Sequence, residues 1–161
     1  MTPLMRAARG GCVDIIRKLI KKKANLEMED KKMCTALIWA IDYNRVDAAR
    51  LLLLSGADVD KASVGGWTPL MWASKHGHVH IVHLLLRHNA DKDIKSNTGM
   101  TAIDLSRRLR HQRGHNQVAR LLSEERMSHP EGHLSAPALL AHYDGEHVAD
   151  YEWDLHHGII G

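Results

Sequence analysis

Residues 68–91 read TPLMWASKHGHVHIVHLLLRHNAD and residues 35–60 read TALIWAIDYNRVDAARLLLLSGADVD. With the two threonines aligned, apolar positions, chain-breaking positions and the closing Ala-Asp fall in register. Outward from this pair the register persists: Thr2-Pro3-Leu4, Thr35-Ala36-Leu37, Thr68-Pro69-Leu70 and Thr101-Ala102-Ile103 recur every 33 residues. A constant period of that size is the signature of stacked structural repeats.

Each recurring residue type has a local job. The threonines suit N-caps, and Pro3 and Pro69 fall at the first helical position, where a missing N–H costs nothing. The helix that follows is short, and Ala7, Ala40 and Ala73 let a second helix approach it closely. Gly11, Asn44, Gly77 and Gly114 tolerate a left-handed backbone and mark the turn between paired helices. Next come Ile15, Ile16, Leu19 and Ile20, then Ala48, Ala49, Leu51, Leu52 and Leu53, then Ile81, Val82, Leu84, Leu85 and Leu86, spaced to share one broad helical face. Gly56 and Asn89 suit the residue that ends this second helix, and the first unit has Lys23 there. A hairpin loop, as at 62–67 and 95–100, then leads to the next unit.

The pattern resembles the ankyrin repeat family over residues 1–127. The resemblance implies an all-α fold, an ankyrin-type helical solenoid of four repeats at about 1–29, 30–62, 63–95 and 96–127, each a helix-turn-helix with a hairpin loop. Composition agrees: with no Phe and 4% aromatic residues, the core must be Leu, Ile, Val, Ala and Met. A lone helix pair cannot bury its apolar face, so about three or more units must stack. The family's Thr-Pro-Leu-His segment carries Met5, Ile38, Met71 and Asp104 in place of its His, so the hydrogen-bond network built on that His is not expected.

The ends depart from the pattern. The first unit has no hairpin before Thr2, and its second helix carries Arg17, Lys18, Lys21, Lys22 and Lys23 as a solvated outer face. The fourth unit has four extra residues between Ser106 and Gly114, expected to lengthen one helix by about a turn. Residues 128–161 form an acidic, His-rich tail without Lys or Arg. Its formal charge of −6 leaves +9 on residues 1–127 of a chain whose total is +3. Pro130, Gly132, Pro137 and Gly145 argue for a partly disordered tail, with a short helix over 136–143 as the alternative.

Several function classes lose support. No apolar run approaches ~18 residues and no signal-peptide region precedes the repeats, so an intracellular, cytoplasmic or nuclear protein is expected. Cys12 and Cys34 lack paired spacing and read as reduced thiols. Thirteen histidines, including the clustered His76, His80 and His83, invite a metal reading. C-x₂-C and H-E-x-x-H spacings are absent, and neither metal nor cofactor is expected. Nor is an enzyme, without a nucleophile elbow or phosphate loop. The basic body keeps nucleic acid as an alternative partner, and a regulatory piece of a larger enzyme is a further alternative.

The remaining class is recognition, because a helical stack offers a long rigid surface with little ordering cost on binding. In proteins resembling this family, contacts come from the hairpins and from the end of the inner helix. The hairpin positions here are Lys31, Lys32 and Cys34, then Val64, Gly65 and Trp67, then Asn97, Thr98 and Met100. The helix-end positions are Arg9 and Gly10, Asp42 and Tyr43, Lys75 and His76, with Arg107 and Arg108 in the fourth unit. The partner-binding set drawn from them is Arg9, Lys31, Lys32, Tyr43, Trp67, Lys75, His76 and Met100. It suits an acidic protein or peptide with aromatic or aliphatic anchors, bound by a monomer. Trp67 is the preferred anchor, with packing on its own hairpin as its other role. Trp39 and Trp72, repeated in register, read as packing residues first. Tyr151 and Trp153, in the acidic run 150–155, suggest that the tail docks on the same face.

Overall fold

A computed structural model of the chain describes residues 1–109 and 113–124. Over these residues the chain forms α1 (Pro3–Gly10), α2 (Val13–Lys21), α3 (Ala36–Asp42), α4 (Val46–Leu54), α5 (Pro69–His76), α6 (Val79–Arg87), α7 (Ala102–Arg108) and α8 (Arg113–Ser123). They are helix pairs in chain order, as the register requires. The odd-numbered helices touch in sequence as an inner row, and the even-numbered helices make an outer row. Leu4, Met5, Ile16, Leu37, Ile41, Leu52, Leu70, Met71, Ile81, Leu85 and Val118 are buried in the core. Each such side chain contributes about 1.5–3 kcal/mol relative to exposure, a gain available only because neighbouring units cover it.

The caps follow the threonine register. Thr2, Thr35 and Thr68 accept the backbone N–H of Met5, Ile38 and Met71 through their hydroxyl oxygens at 3.2, 3.4 and 3.3 Å. Thr101 is different, because Asp104 takes over the cap. Its carboxylate accepts the Thr101 N–H at 3.0 Å and the hydroxyl O–H at 2.7 Å, and these two donors hold Asp104 below the usual carboxylate range. In place of a network built on His, two indoles reach back nine residues to the hairpin. Trp39 donates to Asp30 at 3.1 Å and Trp72 to Ser63 at 3.0 Å.

The first three outer helices end alike. Lys23, Gly56 and Asn89 adopt positive φ, and their N–H groups bond the carbonyls of Ile20, Leu53 and Leu86, while Ala24, Ala57 and Ala90 bond Leu19, Leu52 and Leu85. This pair of bonds satisfies carbonyls that a helix end otherwise leaves open. The hairpins are equally periodic. Asp30, Ser63 and Ser96 each donate N–H to the carbonyl four residues on, with Met33, Gly66 and Gly99 at positive φ. Hairpins are then linked to one another, Val64 to the Lys32 carbonyl at 3.0 Å and Asn97 to that of Gly65 at 2.9 Å.

Three expectations need correction. Gly114 is not the turn residue of the fourth unit but lies in the first turn of α8. What requires glycine there is proximity, since a Cβ would stand 2.5 Å from the carbonyl oxygen of Gly77. The extra residues of that unit do go with one longer helix, but by two residues rather than a full turn: outer α8 has eleven against nine in α2, α4 and α6, while inner α7 has seven like α3. Ile15, placed with the apolar face, is 51% exposed, because the stack offers it no preceding outer helix among the described residues. The expectations for the tail, 128–161, lie outside the described residues. Among the described residues no helix is long and apolar enough to cross a membrane.

Candidate functional site

The inner helices end at equivalent positions, and there the chemistry concentrates. Arg9, Asp42, Lys75 and Arg108 follow one another at 33 residues, as do Gly10, Tyr43, His76 and Leu109. One turn earlier stand Trp39 on α3 and Trp72 on α5. A spacing of four puts each ring beside the aromatic at the helix end. Trp39 stacks on Tyr43 with centroids 6.0 Å apart, and Trp72 on His76 at 6.2 Å.

Each stack carries a cation. The Arg9 guanidinium, from the preceding unit, lies 4.8 Å from the Tyr43 ring centroid and 5.9 Å from that of Trp39. Its position is supported by the carbonyl of Arg9, which accepts from Nε of Arg45 at 3.1 Å. The Lys75 ammonium lies 4.9 Å from Trp72 and 5.4 Å from Trp67. Trp67 leans on Trp72 at 5.4 Å and 56°, so the hairpin ring and the helix ring form two sides of a corner. At such partly exposed sites each cation–ring contact contributes about 0.5–1 kcal/mol. More important for recognition, the rings hold both cations at the inner-helix ends, where Arg9 is exposed and Lys75 half-buried.

The two clusters are joined across α3 and α5. Nε2 of His76 lies 3.0 Å from Oδ1 of Asp42, an ion pair whenever the imidazole is protonated. His76 also stacks on His78 at 5.3 Å. Burial, and then the neighbouring His76, hold His78 below the ordinary imidazole value. His115 of α8 is buried and bonds the carbonyl of Lys75 at 2.8 Å, which anchors the fourth unit to the end of α5.

The structure thus brings Arg9 to Tyr43 and Lys75 to Trp67, with Trp72 standing between Trp67 and His76. Lys31 and Lys32 are exposed on the second unit's hairpin, where Oδ1 of Asp30 accepts the Lys32 N–H at 2.8 Å and the Cys34 N–H at 3.0 Å. Partial burial acts upward on Asp30, but these donors and the Trp39 indole outweigh it and keep its carboxyl below the usual range. Cys34 is buried, and burial followed by Asp30 and Asp42 pushes its thiol up to about 11, so it is a neutral packing group rather than a contact residue. Met100 is half-buried against the core, with its sulfur 3.1 Å from Nη1 of Arg108. Trp39, Trp72 and Asp42 complete the clusters. The signal for the two tryptophans in the sequence was Asp30 and Ser63, polar hairpin residues nine positions before each. Among the described residues no three His, Cys, Asp or Glu side chains gather as a metal site would need.

A family model described as ankyrin repeats (3 copies) matches residues 1–63 and 53–131. No curated protein matches the sequence.

Proposed function

The chain belongs to the ankyrin repeat family, whose repeats are protein–protein interaction modules, and from that premise we propose that it is a non-catalytic adaptor whose inner-helix ends and hairpins bind an acidic partner segment. The observation that carries this reading is the pair of cation–aromatic clusters, Arg9 over Trp39 and Tyr43, and Lys75 over Trp67 and Trp72. A carboxylate meets a cation already immobilised on rings, which reduces the side-chain ordering that binding must overcome. An aromatic or aliphatic anchor completes the contact at the Trp67–Trp72 corner. Asp42 would repel an acidic chain, and His76 offsets that charge when protonated. Lys31 and Lys32, on the exposed hairpin, add attraction that mainly speeds encounter. Met100 and Arg108 extend the surface to the fourth unit.

Panning a displayed library of acidic, aromatic-containing peptides against the full chain tests the reading. Trp67→Ala should weaken the selected peptides more than tenfold, about 1.4 kcal/mol, with the melting temperature within a few degrees of wild type. Recovery of basic peptides alone, or capture that nuclease abolishes, overturns it. The same face is proposed to take the chain's own acidic run 150–155, since a short tether supplies roughly millimolar effective concentration. Tyr151 and Trp153 lie outside the described residues, and Trp153→Ala in the full chain should raise partner affinity if they compete.

A further inference from the structure

One position of the repeat closes each inner helix, and its charge changes from unit to unit. Arg9, Asp42 and Lys75 hold it in the first three units. Arg9 is exposed, and Asp42 and Lys75 are half-buried. Both cations lie against rings rather than carboxylates. The group facing Asp42 is the His76 imidazole at 3.0 Å, which leaves the carboxylate uncompensated whenever that ring is neutral. The inner-helix ends therefore present plus, minus and plus in turn. Their pitch follows from packing, because α1, α3 and α5 touch in sequence and packed helices stand about 8–10 Å apart.

Resting on the binding reading above, we infer that the partner segment is a polyproline II stretch with an acidic, a basic and an acidic residue at successive third positions. Such a helix makes one turn in three residues, about 9 Å, so every third side chain lies on one face at the pitch of the units. A strand covers the same distance in three residues but points the second charge to its opposite face. An α-helix matches the pitch only with charges seven residues apart, about 10.5 Å. The rings favour the first form. Trp67 and Trp72 make a corner beside Lys75, and Trp39 and Tyr43 a stack beside Arg9; aromatic surfaces of this kind take the prolines of such a segment. The basic residue meets Asp42, which would repel a uniformly acidic chain. Residues 128–161 contain no Lys or Arg, so they cannot supply that middle turn, and the pattern belongs to a partner protein. It reads the same in both directions, so the fit does not depend on the polarity of the bound chain.

The probe is a fluorescein-labelled peptide with the core Glu-Pro-Ala-Lys-Pro-Ala-Glu, titrated with the full chain at about pH 8, above the ordinary imidazole value. One control has the same composition with the lysine in the first turn, and a second has glutamate in all three turns. Fluorescence anisotropy should show the probe binding about tenfold tighter than the first control, in which two attractive pairs become repulsive. Against the second control the margin should be about threefold, the scale of one exposed pair, even though the basic body attracts that peptide more. Asp42→Asn should remove this preference and Asp42→Lys should reverse it. The peptide series on the unsubstituted chain keeps the test valid if either substitution disturbs folding. Equal or tighter binding of the all-glutamate peptide, or a preference that survives Asp42→Asn, overturns the inference; if Trp67→Ala still weakens that binding, the acidic-partner reading stands without it. Tighter binding of an alanine-rich helical peptide with the same charges seven residues apart also overturns it and makes the partner a helix. Binding of none of these peptides overturns both.

Discussion

The second and third units bury what the first leaves open, although all three are built on the same local plan. Thr2, Thr35 and Thr68 cap their helices through the same hydroxyl bond, and Lys23, Gly56 and Asn89 end the outer helices with the same two bonds. Yet Ile15 is exposed where Ala48 and Ile81 are not. Helix start and stop thus belong to each unit, whereas burial belongs to the contact between units, as a one-dimensional stack requires.

One substitution at two equivalent positions puts this difference to the hardest test. Leu52→Ala should cost about 3 kcal/mol or more, because a fully buried leucine leaves a cavity, and Leu19→Ala at the half-buried equivalent about 1 kcal/mol. Urea unfolding with unchanged slope measures both; equal losses would show that the first unit is covered after all.

Glycines supply the next contrast. Gly114→Ala places a Cβ 2.5 Å from the Gly77 carbonyl oxygen, and backbone must move, at about 2 kcal/mol. Gly99→Ala meets nothing within 4 Å and carries only the strain of φ 78°, about 1 kcal/mol. Thermal melts that rank the two in reverse would remove close approach as the reason for Gly114. Met33→Gly runs the opposite way. Met33 holds φ 56° where its equivalents are Gly66 and Gly99, so relieving it should stabilise the chain by about 0.5–1 kcal/mol after the added backbone entropy.

The smallest expected effect is a difference in acid sensitivity. No histidine precedes His76. In the third unit, burial foremost holds His78 and His88 below the ordinary value of 6.5. An imidazole kept neutral by folding gives stability that is complete above its unfolded value and is lost as pH falls below it. Hydrogen exchange should therefore show the third unit opening more readily than the first as pH drops from 6.5 toward 5 or so. Asp30 and Asp104 act in a separate, more acid window, because their stabilisation is lost only as pH falls below the usual carboxylate value of 3.8. Uniform weakening of all units near pH 6 would mean that His78 and His88 do not control it.

Much of the candidate surface was legible for the same reason as the fold. Arg9, Tyr43, Trp67, Lys75 and His76 stand at repeat positions that end the inner helices or cross the hairpins, and periodicity carries such positions to one side of the stack. The partnerships were not legible. That Arg9 covers Tyr43 from the unit before, or that His76 reaches Asp42 in α3, depends on how adjacent units pack, and sequence spacing of 34 residues says nothing about a 3.0 Å or 4.8 Å contact. Cys34 shows the reverse error, a residue at a contact position that the fold turns inward.

The repeat count, the helix starts at the capping threonines and the left-handed ends can be read from the chain alone, because these depend on hydrogen bonds and backbone sterics within a few residues. The role of Gly114, the exposure of Ile15 and the joining of two aromatic clusters across α3 and α5 come from the packing of units on one another. Those depend on distances between segments far apart in the chain. Such distances are set by side-chain volumes packed between neighbouring helices, and no local pattern records them.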